Sequence, residues 1–430
     1  MRKKTEALRE GRSEDVKKLG KEGRRSLRRD RRQRVAKVAE QIEDHMKRKN
    51  IIGAYNVLRH WYRKYTGRAP KPSVVRLGET KATYNKLFQK TPLPTDETLN
   101  FTYEGPEVED SMPTEHEIIE ALYRMRNRKA PGMTGITVED LKKWEKGANP
   151  EEGIDLIPTY QQAWTQVVQL VQDAIDKGSI PSAFSIGTLV IIPKDDKGGV
   201  RGIGLLEVIH KLISQIINLR LGNRIQFLPE VHGFRRQRGT YTAIGEAKIR
   251  MQIGACTSSP LYQVYLDLSK AYDSIDRDKT MSILEKYKVG PNVRNYIRKV
   301  WDSQRFFLRQ SGFYSKDIVV ERGCTQGDTD SPIIFNIIVD AVLRTWKNHP
   351  DYKASTTSFY ADDGLIEHRE PTNLQQDLDA IVKLFTLVGL KTNDQKTKFM
   401  IAGGTPAAKA LSTHQYEPVS YTHLRAHETR

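Results

Sequence analysis

The sequence predicts a mixed α/β chain of the α+β kind, and three observations carry that expectation. Two short apolar runs, Ser358 to Tyr360 and Leu365 to Glu367, flank Asp362-Asp363-Gly364 and read as a hairpin. The stretch from Ile333 to Trp346 is apolar on every side, as a helix lying beneath a sheet would be. Leu205 to Leu221 places Leu206, Ile209, Ile213, Ile216, Ile217 and Leu221 on one side of a helix, a stripe that belongs to a core.

Composition narrows the class of partner. With 430 residues, 38% of them hydrophobic, the chain can bury a sizeable core, and its length suggests roughly two to three lobes. Lys and Arg number 70 against 53 Asp and Glu, a net charge of +17 that calls for nucleic acid or an acidic membrane surface. No long basic amphipathic stretch carries an apolar face, which favours nucleic acid. Cys256 and Cys324 are too few and too far apart for a disulfide framework or a zinc cluster, and they fit a reducing intracellular compartment. No apolar run is as long as a membrane span, and the basic N-terminus lacks the apolar segment of a secretory signal, so no membrane partner is expected.

Taken in order, residues 1–50 form a basic arm, helical or disordered, with runs such as Arg24-Arg25-Ser26-Leu27-Arg28-Arg29 and too few apolar positions to pack a face. It reads equally as a nucleic-acid arm, a nuclear address or a solvated charged face. Residues 51–113 carry Pro70, Pro72, Pro92, Pro94, Pro106 and Pro113 and read as an extended connector, with core structure expected only afterwards. Thr114 and Glu117 then make a capping box ahead of Ile118, Ile119, Leu122 and Met125 at helical spacing. A loop, Arg128 to Gly135, precedes a helix from Val138 to Trp144 and a longer one from Pro158 to Lys177, stopped by Gly178.

Thr188 to Ile192 is a β-branched run whose Gly198-Gly199 turn returns through Ile203, so that Lys194 and Arg201 would face each other. On its own this is a basic surface hairpin. Val231 to Gly239 is a positively charged turn opening a helix over Ala243 to Met251, suited to phosphates or a plain loop. Leu261 to Leu268 is a strand ending on Asp267, followed by a helix reaching Tyr287, and a hairpin runs from Arg305 to Gln310 and back from Asp317 to Glu321. A tight polar loop, Arg322 to Pro332, leads into the apolar helix. After the double-acid hairpin come a helix from Leu374 to Val388, stopped by Gly389, and a final stretch from Lys391 to Ile401 with Lys396 at its centre. There are no internal repeats.

The hairpin tip could be an ordinary solvated turn, since Asp-Gly is a common turn pair. A second carboxylate at the end of another strand changes that reading. Asp267 and Asp362, delivered by different strands in a basic chain, fit a phosphoryl-transfer site in which both bridge two metal ions about 4 Å apart. Magnesium is the expected ion, with manganese as its substitute, because oxygen ligands and retained waters satisfy it without His or Cys. The Leu268 carbonyl would add an oxygen. Asp363 ranks below Asp362 as a ligand, since adjacent residues point apart.

Phe359-Tyr360-Ala361-Asp362-Asp363 resembles the tyrosine-x-aspartate-aspartate box of reverse transcriptases, in the alanine form of non-LTR retrotransposons and group II introns. Asp267 to Asp273, Gly323 to Pro332 with Gln326-Gly327, and Gly389-Leu390 to Asn393 with Lys396-Thr397 resemble further boxes in the family's order. Upstream, Lys129-Ala130-Pro131-Gly132, Ile192-Pro193-Lys194, Arg201 and His232-Gly233-Phe234 also match, so the likeness covers 114 to about 402. The resemblance implies a right-hand polymerase core: fingers with the start of the palm over 114–254, and a palm with an antiparallel sheet over 255–402.

It implies RNA-directed DNA synthesis from dNTPs on an RNA template, from a DNA or RNA primer. Asp267, Asp362 and Asp363 would hold the metals with Leu268, and Lys194 and Arg201 would grip the triphosphate. Tyr272 would exclude a 2′-hydroxyl, Gln326 would contact the incoming nucleotide, Gly327 would admit close backbone approach, and Lys396 would protonate departing pyrophosphate. Four positions depart from the pattern: Gly202 and Thr325 replace prolines, and Thr329-Asp330 replaces Pro-Leu, which would set an acid beside the template path. Residues 403–418 are expected to begin a truncated thumb, and 419–430 look like one reading frame of a sequencing adapter. A group II intron maturase and a decayed RNA-binding remnant are the alternative readings. The compartment would be the nucleus for a eukaryotic retrotransposon and the cytoplasm otherwise.

Overall fold

Helix-forming and strand-forming stretches alternate along most of the chain, and the computed structural model describes residues 77–93, 95–147, 160–193, 200–310 and 313–402, with scattered helical positions between 36 and 48. The rest of the basic arm, the connector up to residue 76, Lys194, the thumb connection and the adapter-like tail lie outside the described residues. Every element below belongs to the unit Arg76–Arg430.

Core structure begins earlier than Thr114. Leu77–Phe88 is a helix, α1, because Thr80, Tyr84, Leu87 and Phe88 fall on one face and are buried there. The proline-rich stretch after it has no regular structure, yet Leu99, Phe101, Tyr103 and Val108 are buried in the main core. Prolines forbid a ladder but not burial of the side chains between them.

Helices α2 (Glu115–Arg124), α3 (Val138–Glu145) and α4 (Tyr160–Asp176) follow as expected. Thr114 Oγ1 accepts from the Glu117 N–H at 3.2 Å, but the other half of the box does not form. Glu117 instead forks onto Arg220, at 2.6 and 2.7 Å, tying α2 to α5 (Val208–Arg224). The full capping box is at α3, between Thr137 and Asp140. α6 spans Thr240–Cys256, α7 is the short turn Ala271–Ser274, and α8 spans Arg277–Lys286. α9 (Pro291–Asp302) was not anticipated, although Gly290-Pro291 is a helix start and Val293, Tyr296, Ile297, Val300 and Trp301 keep helical spacing into the core. α10 (Ser331–Lys347) is buried nearly all round, packed on α5, α8 and α11 (Pro371–Thr386).

Strands β1 (Ile186–Pro193), β2 (Val200–Leu205), β4 (Arg305–Gln310) and β5 (Phe313–Val319) form one sheet in the order β2-β1-β4-β5. β1 and β4 run parallel and the other neighbours antiparallel. Arg201 stands opposite Ile192, not Lys194. The second sheet, β6-β7-β3-β8, is wholly antiparallel, built from β3 (Leu261–Asp267), β6 (Thr356–Tyr360), β7 (Asp363–His368) and β8 (Lys398–Ala402). Its alternation is strict: Val264, Leu266, Phe359, Ile366 and Phe399 enter the core shared with α10, while Tyr265, Asp267, Asp363 and Leu365 take the other face. Lys396 lies in the turn ahead of β8.

Candidate active site

The acids sit where the second sheet runs out. Tyr360 pairs with Asp363, so the hairpin turns on Ala361 and Asp362, one residue earlier than the Asp-Gly pair suggests. Ala361 takes a left-handed φ of 54°, which a turn this short demands at its first position. Asp363 thereby becomes the first residue of β7, directly opposite Asp267 on β3. Like charges placed opposite each other on one face oppose folding, so the pairing needs a reason outside stability.

His232-Gly233-Phe234 holds this hairpin from behind. The Phe359 N–H donates to the Glu230 carbonyl at 2.7 Å and the His232 N–H to the Phe359 carbonyl at 2.8 Å. Asn336 Nδ2 donates to the Gly233 carbonyl at 2.5 Å, and a Cβ at Gly233 would stand 2.8 Å from the Ala361 nitrogen. The charged turn is thus a backing for the acids. Arg235 donates to the Leu228 and Val231 carbonyls, at 2.8 and 2.6 Å, and Arg238 pairs with Glu246 at 3.0 Å, so both side chains are engaged within the protein.

A cavity of about 580 Å³ gathers Asp267, Leu268, Tyr272, Asp362, Asp363, Lys396, Arg201 and Gln326. Burial, then the charges of Asp362 and Asp267, raise the Asp363 carboxyl above its ordinary value, with Lys396 opposing. Lys396 Nζ lies 3.6 Å from Asp267 Oδ2. The Asn393 N–H donates to the Asp267 carbonyl at 2.8 Å, and Leu268 bridges to Thr392, so the turn carrying Lys396 is pinned to the strand carrying Asp267. Among the described residues no three His, Cys, Asp or Glu side chains form a group that could hold a metal ion by themselves. The oxygen donors are instead two or three open carboxylates crowded by their own charge, a set that suits a hard divalent cation keeping waters and substrate oxygens.

Tyr272 is half-buried and stacks on Phe335 of α10, ring centroids 4.7 Å apart at 23°. Burial, then Cys324 and Asp362, push its hydroxyl far up, so it is a neutral wall. Gln326 is fixed through its backbone carbonyl, which accepts from the Gly204 N–H at 2.8 Å. Gly327 is not in the cavity with the acids. Its φ is 115°, a Cβ there would meet the Gly204 carbonyl oxygen at 2.5 Å, and it faces a neighbouring cavity of about 460 Å³ lined by Arg124, Arg126, Lys129 and Lys211.

The polar loop is largely an interior. Asp328 meets His210 Nε2 at 2.7 Å, and His210 Nδ1 meets the Tyr296 hydroxyl at 2.8 Å. Burial opposes the charge on Asp328, yet His210 holds its carboxyl below its ordinary value. Asp330 is buried at the start of α10, where burial and then Asp328 push its carboxyl well up. The acid expected beside a template path is therefore inside the protein. Sequence reasoning also missed Tyr84, Lys270, Asp273 and Asn393, all lining the acid cavity. Burial raises the Asp273 carboxyl to about 6, against the pull of Lys270, Arg322 and Arg201. Asp273 was legible only as a neighbour of Asp267, and Tyr84 carried no signal.

The family model described as reverse transcriptase (RNA-dependent DNA polymerase) matches residues 192–423. A Pol polyprotein from a type-2 retrotransposable element of Drosophila melanogaster is 26% identical over 240 residues, 54% of this chain and 23% of that protein. A Pol polyprotein from a type-1 retrotransposable element of Nasonia vitripennis is 24% identical, over 65% of this chain and 28% of that protein. The chain thus spans about a quarter of the length of these relatives. A Candida tropicalis telomerase structure, in complex with a fragment of telomeric RNA, aligns with a TM-score of 0.40 at 13% identity, over 59% of this chain and 47% of that one.

Proposed function

The chain belongs to the reverse transcriptase (RNA-dependent DNA polymerase) family, and from that premise we propose that it copies an RNA template into DNA by joining deoxynucleotides to a primer. The observation that carries the reading is the convergence of Asp267, Asp362, Asp363, Arg201, Tyr272, Gln326 and Lys396, from both sheets, on one cavity. The fold is a right-hand polymerase core. In our reading the sheet β6-β7-β3-β8 with α8, α10 and α11 is the palm, and the hairpin β1-β2 with α2 to α4 belongs to the fingers.

Asp267, Asp362 and Asp363, with the Leu268 carbonyl, would hold two magnesium ions, which when bound stabilise the charge on attacking and leaving oxygens. Arg201 faces the same cavity from the edge strand of the other sheet, placed to bind the triphosphate, a task Lys194 would share. Tyr272, its ring fixed against Phe335, fills the space a ribose 2′-hydroxyl would need. Gln326 contacts the incoming nucleotide. Lys396 is the group to protonate pyrophosphate as it leaves, and its Nζ, 3.6 Å from Asp267, is already at the acids. The template would pass on the side of Gly327, where Arg126, Lys129 and Lys211 line the second cavity.

Retrotransposon proteins among the relatives favour a non-LTR element as the source. The remnant reading draws on the acid at position 330, and that side chain is buried at the start of α10. The test is incorporation of single deoxynucleotides on an RNA template with a DNA primer, in magnesium. Template binding with no incorporation under any divalent metal would overturn the reading and leave an RNA-binding protein.

A further inference from the structure

We infer that Tyr84, on helix α1, is a positioning residue of the nucleotide site and braces the strand carrying Arg201 at its working distance from the carboxylates. This rests on the polymerase reading above. α1 lies more than a hundred residues ahead of the segment matched by the family, so nothing in that match assigns it a part.

Tyr84 looks at first like an ordinary core residue. It is 5% exposed, its ring lies 5.6 Å from Phe88, and Phe88 lies 6.3 Å from Phe306 of β4. A core role alone would not bring it to the site. Tyr84, with Thr83 and Leu87, lines the cavity of the acids and Arg201.

The contact with the Arg201 strand is close. A Cβ at Gly202 would stand 2.8 Å from Tyr84 Oη and 2.9 Å from Leu189 Cδ1, so position 202 has room for hydrogen only. The Gly204 N–H points off the outer edge of β2 to the Gln326 carbonyl. Strand alternation sends the Gly202 amide off the same edge, towards Tyr84. Burial and then the charge of Asp273 raise the Tyr84 hydroxyl to about 12, so it stays neutral beside that amide.

The far end of α1 is fastened to the other wall. The Phe88 carbonyl accepts from the Glu321 N–H at 2.9 Å, and the Leu87 carbonyl accepts from Arg322 Nε at 2.9 Å. The Lys90 N–H donates to Glu321 Oε2 at 2.8 Å, and Arg322 Nη1 donates to Thr91 Oγ1 at 2.7 Å. Glu321 and Arg322 lead directly into Gly323 to Gln326. α1 therefore ties the Arg201 strand to the Gln326 loop, and Tyr84 is where it bears on the strand.

The test is a double-mutant cycle in the full chain. Tyr84→Ala should lower kcat/KM for the deoxynucleotide about ten- to hundredfold, mostly through KM, with primer–template affinity unchanged. Tyr84→Phe, which keeps the ring, should cost only about two- to threefold. In an Arg201→Ala background Tyr84→Ala should add less than about twofold, because the group it positions is gone. Tyr84→Leu, which preserves most of the core volume, is carried through the same cycle in case the alanine variant does not fold. Losses that add fully, or that fall equally on primer–template affinity, would overturn the brace. If the parent incorporates nothing, the polymerase reading fails separately. The cycle is then read as binding of a fluorescent deoxynucleoside triphosphate in calcium, where coupled losses support the brace and uncoupled losses overturn it.

Discussion

In the sheet β6-β7-β3-β8 the acids are placed by main-chain register, with β3 and β7 paired continuously from Tyr262 and His368 to Asp267 and Asp363. In the sheet β2-β1-β4-β5 the cation is placed by packing: Arg201 is on an edge strand that, among the described residues, bears on α1 and the Gln326 loop. The first arrangement fixes the carboxylates as firmly as the core beneath them. The second makes the distance between Arg201 and the acids depend on side chains from elsewhere. A site assembled this way sets its acidic half by a continuous strand ladder and leaves the place of its basic half to the side chains packed against β2.

The sharpest way to break that comparison is to remove an acid. Asp362→Ala should reduce incorporation by about three orders of magnitude or more, since each ~1.4 kcal/mol of lost charge stabilisation costs tenfold. An unchanged rate would mean the acids do not hold the metals. Tyr272→Ala should erode sugar discrimination by about ten- to two-hundredfold while deoxynucleotide incorporation holds. Competition between ribo- and deoxynucleotides at one template position measures it, and undiminished rejection would remove the steric role of the ring.

Gly233→Ala probes how the acid hairpin is backed. Its Cβ would meet the backbone nitrogen of Ala361 at 2.8 Å, which cannot turn away, so we expect a loss of about 1–3 kcal/mol in denaturant unfolding. A neutral result would show that the hairpin is looser than its register implies.

Asp273 tests the junction of the two halves by pH. Its carboxyl rises from the ordinary 3.8 to about 6 in the folded protein, so the folded state holds the proton more tightly. The stability it contributes therefore falls as pH rises from about 4 to about 6, and the penalty persists above. Asp273→Asn should be more stable than the parent at pH 7.5, by about 3 kcal/mol at most, with the gap closing towards pH 4.5. The smallest effect on catalysis belongs to the arm. Deleting residues 1–50 should flatten the salt dependence of template binding by about 0.7–0.9 per lost phosphate contact, with incorporation at saturating template hardly changed. An unchanged slope would leave the fingers alone to hold the template.

The acid half was legible because its information is local. A carboxylate closing a β-rich run and a double-acid hairpin declare themselves within ten residues, while their meeting on one sheet was expected from the resemblance to reverse transcriptases. Lys396 was legible as a residue but not as part of a turn, since Asn393 and Thr397 bind back to β3 in ways no period reveals. The braced half was far less legible. β1 and β4 pair in parallel across more than a hundred residues, and α1 was hidden among prolines that argued for a connector. The 322–332 loop looked polar because its acids were visible, while His210, which buries one of them, lies far upstream in an apolar stripe.

The central place of β3 also governs when the protein can work. Its neighbours, β7 and β8, are made some 100 and 135 residues after it, so during synthesis one of its edges waits for β7 and the other stays unpaired until the ribosome has passed Ala402. Such non-local closure is slow, and the waiting strand is the part of the nascent chain most exposed to wrong pairing. It also means that Asp267 and Asp363 meet only after nearly all the described chain has been translated. A chain still being synthesised, even while tethered beside its own messenger, therefore carries no assembled carboxylate site until β7 has been laid down against β3.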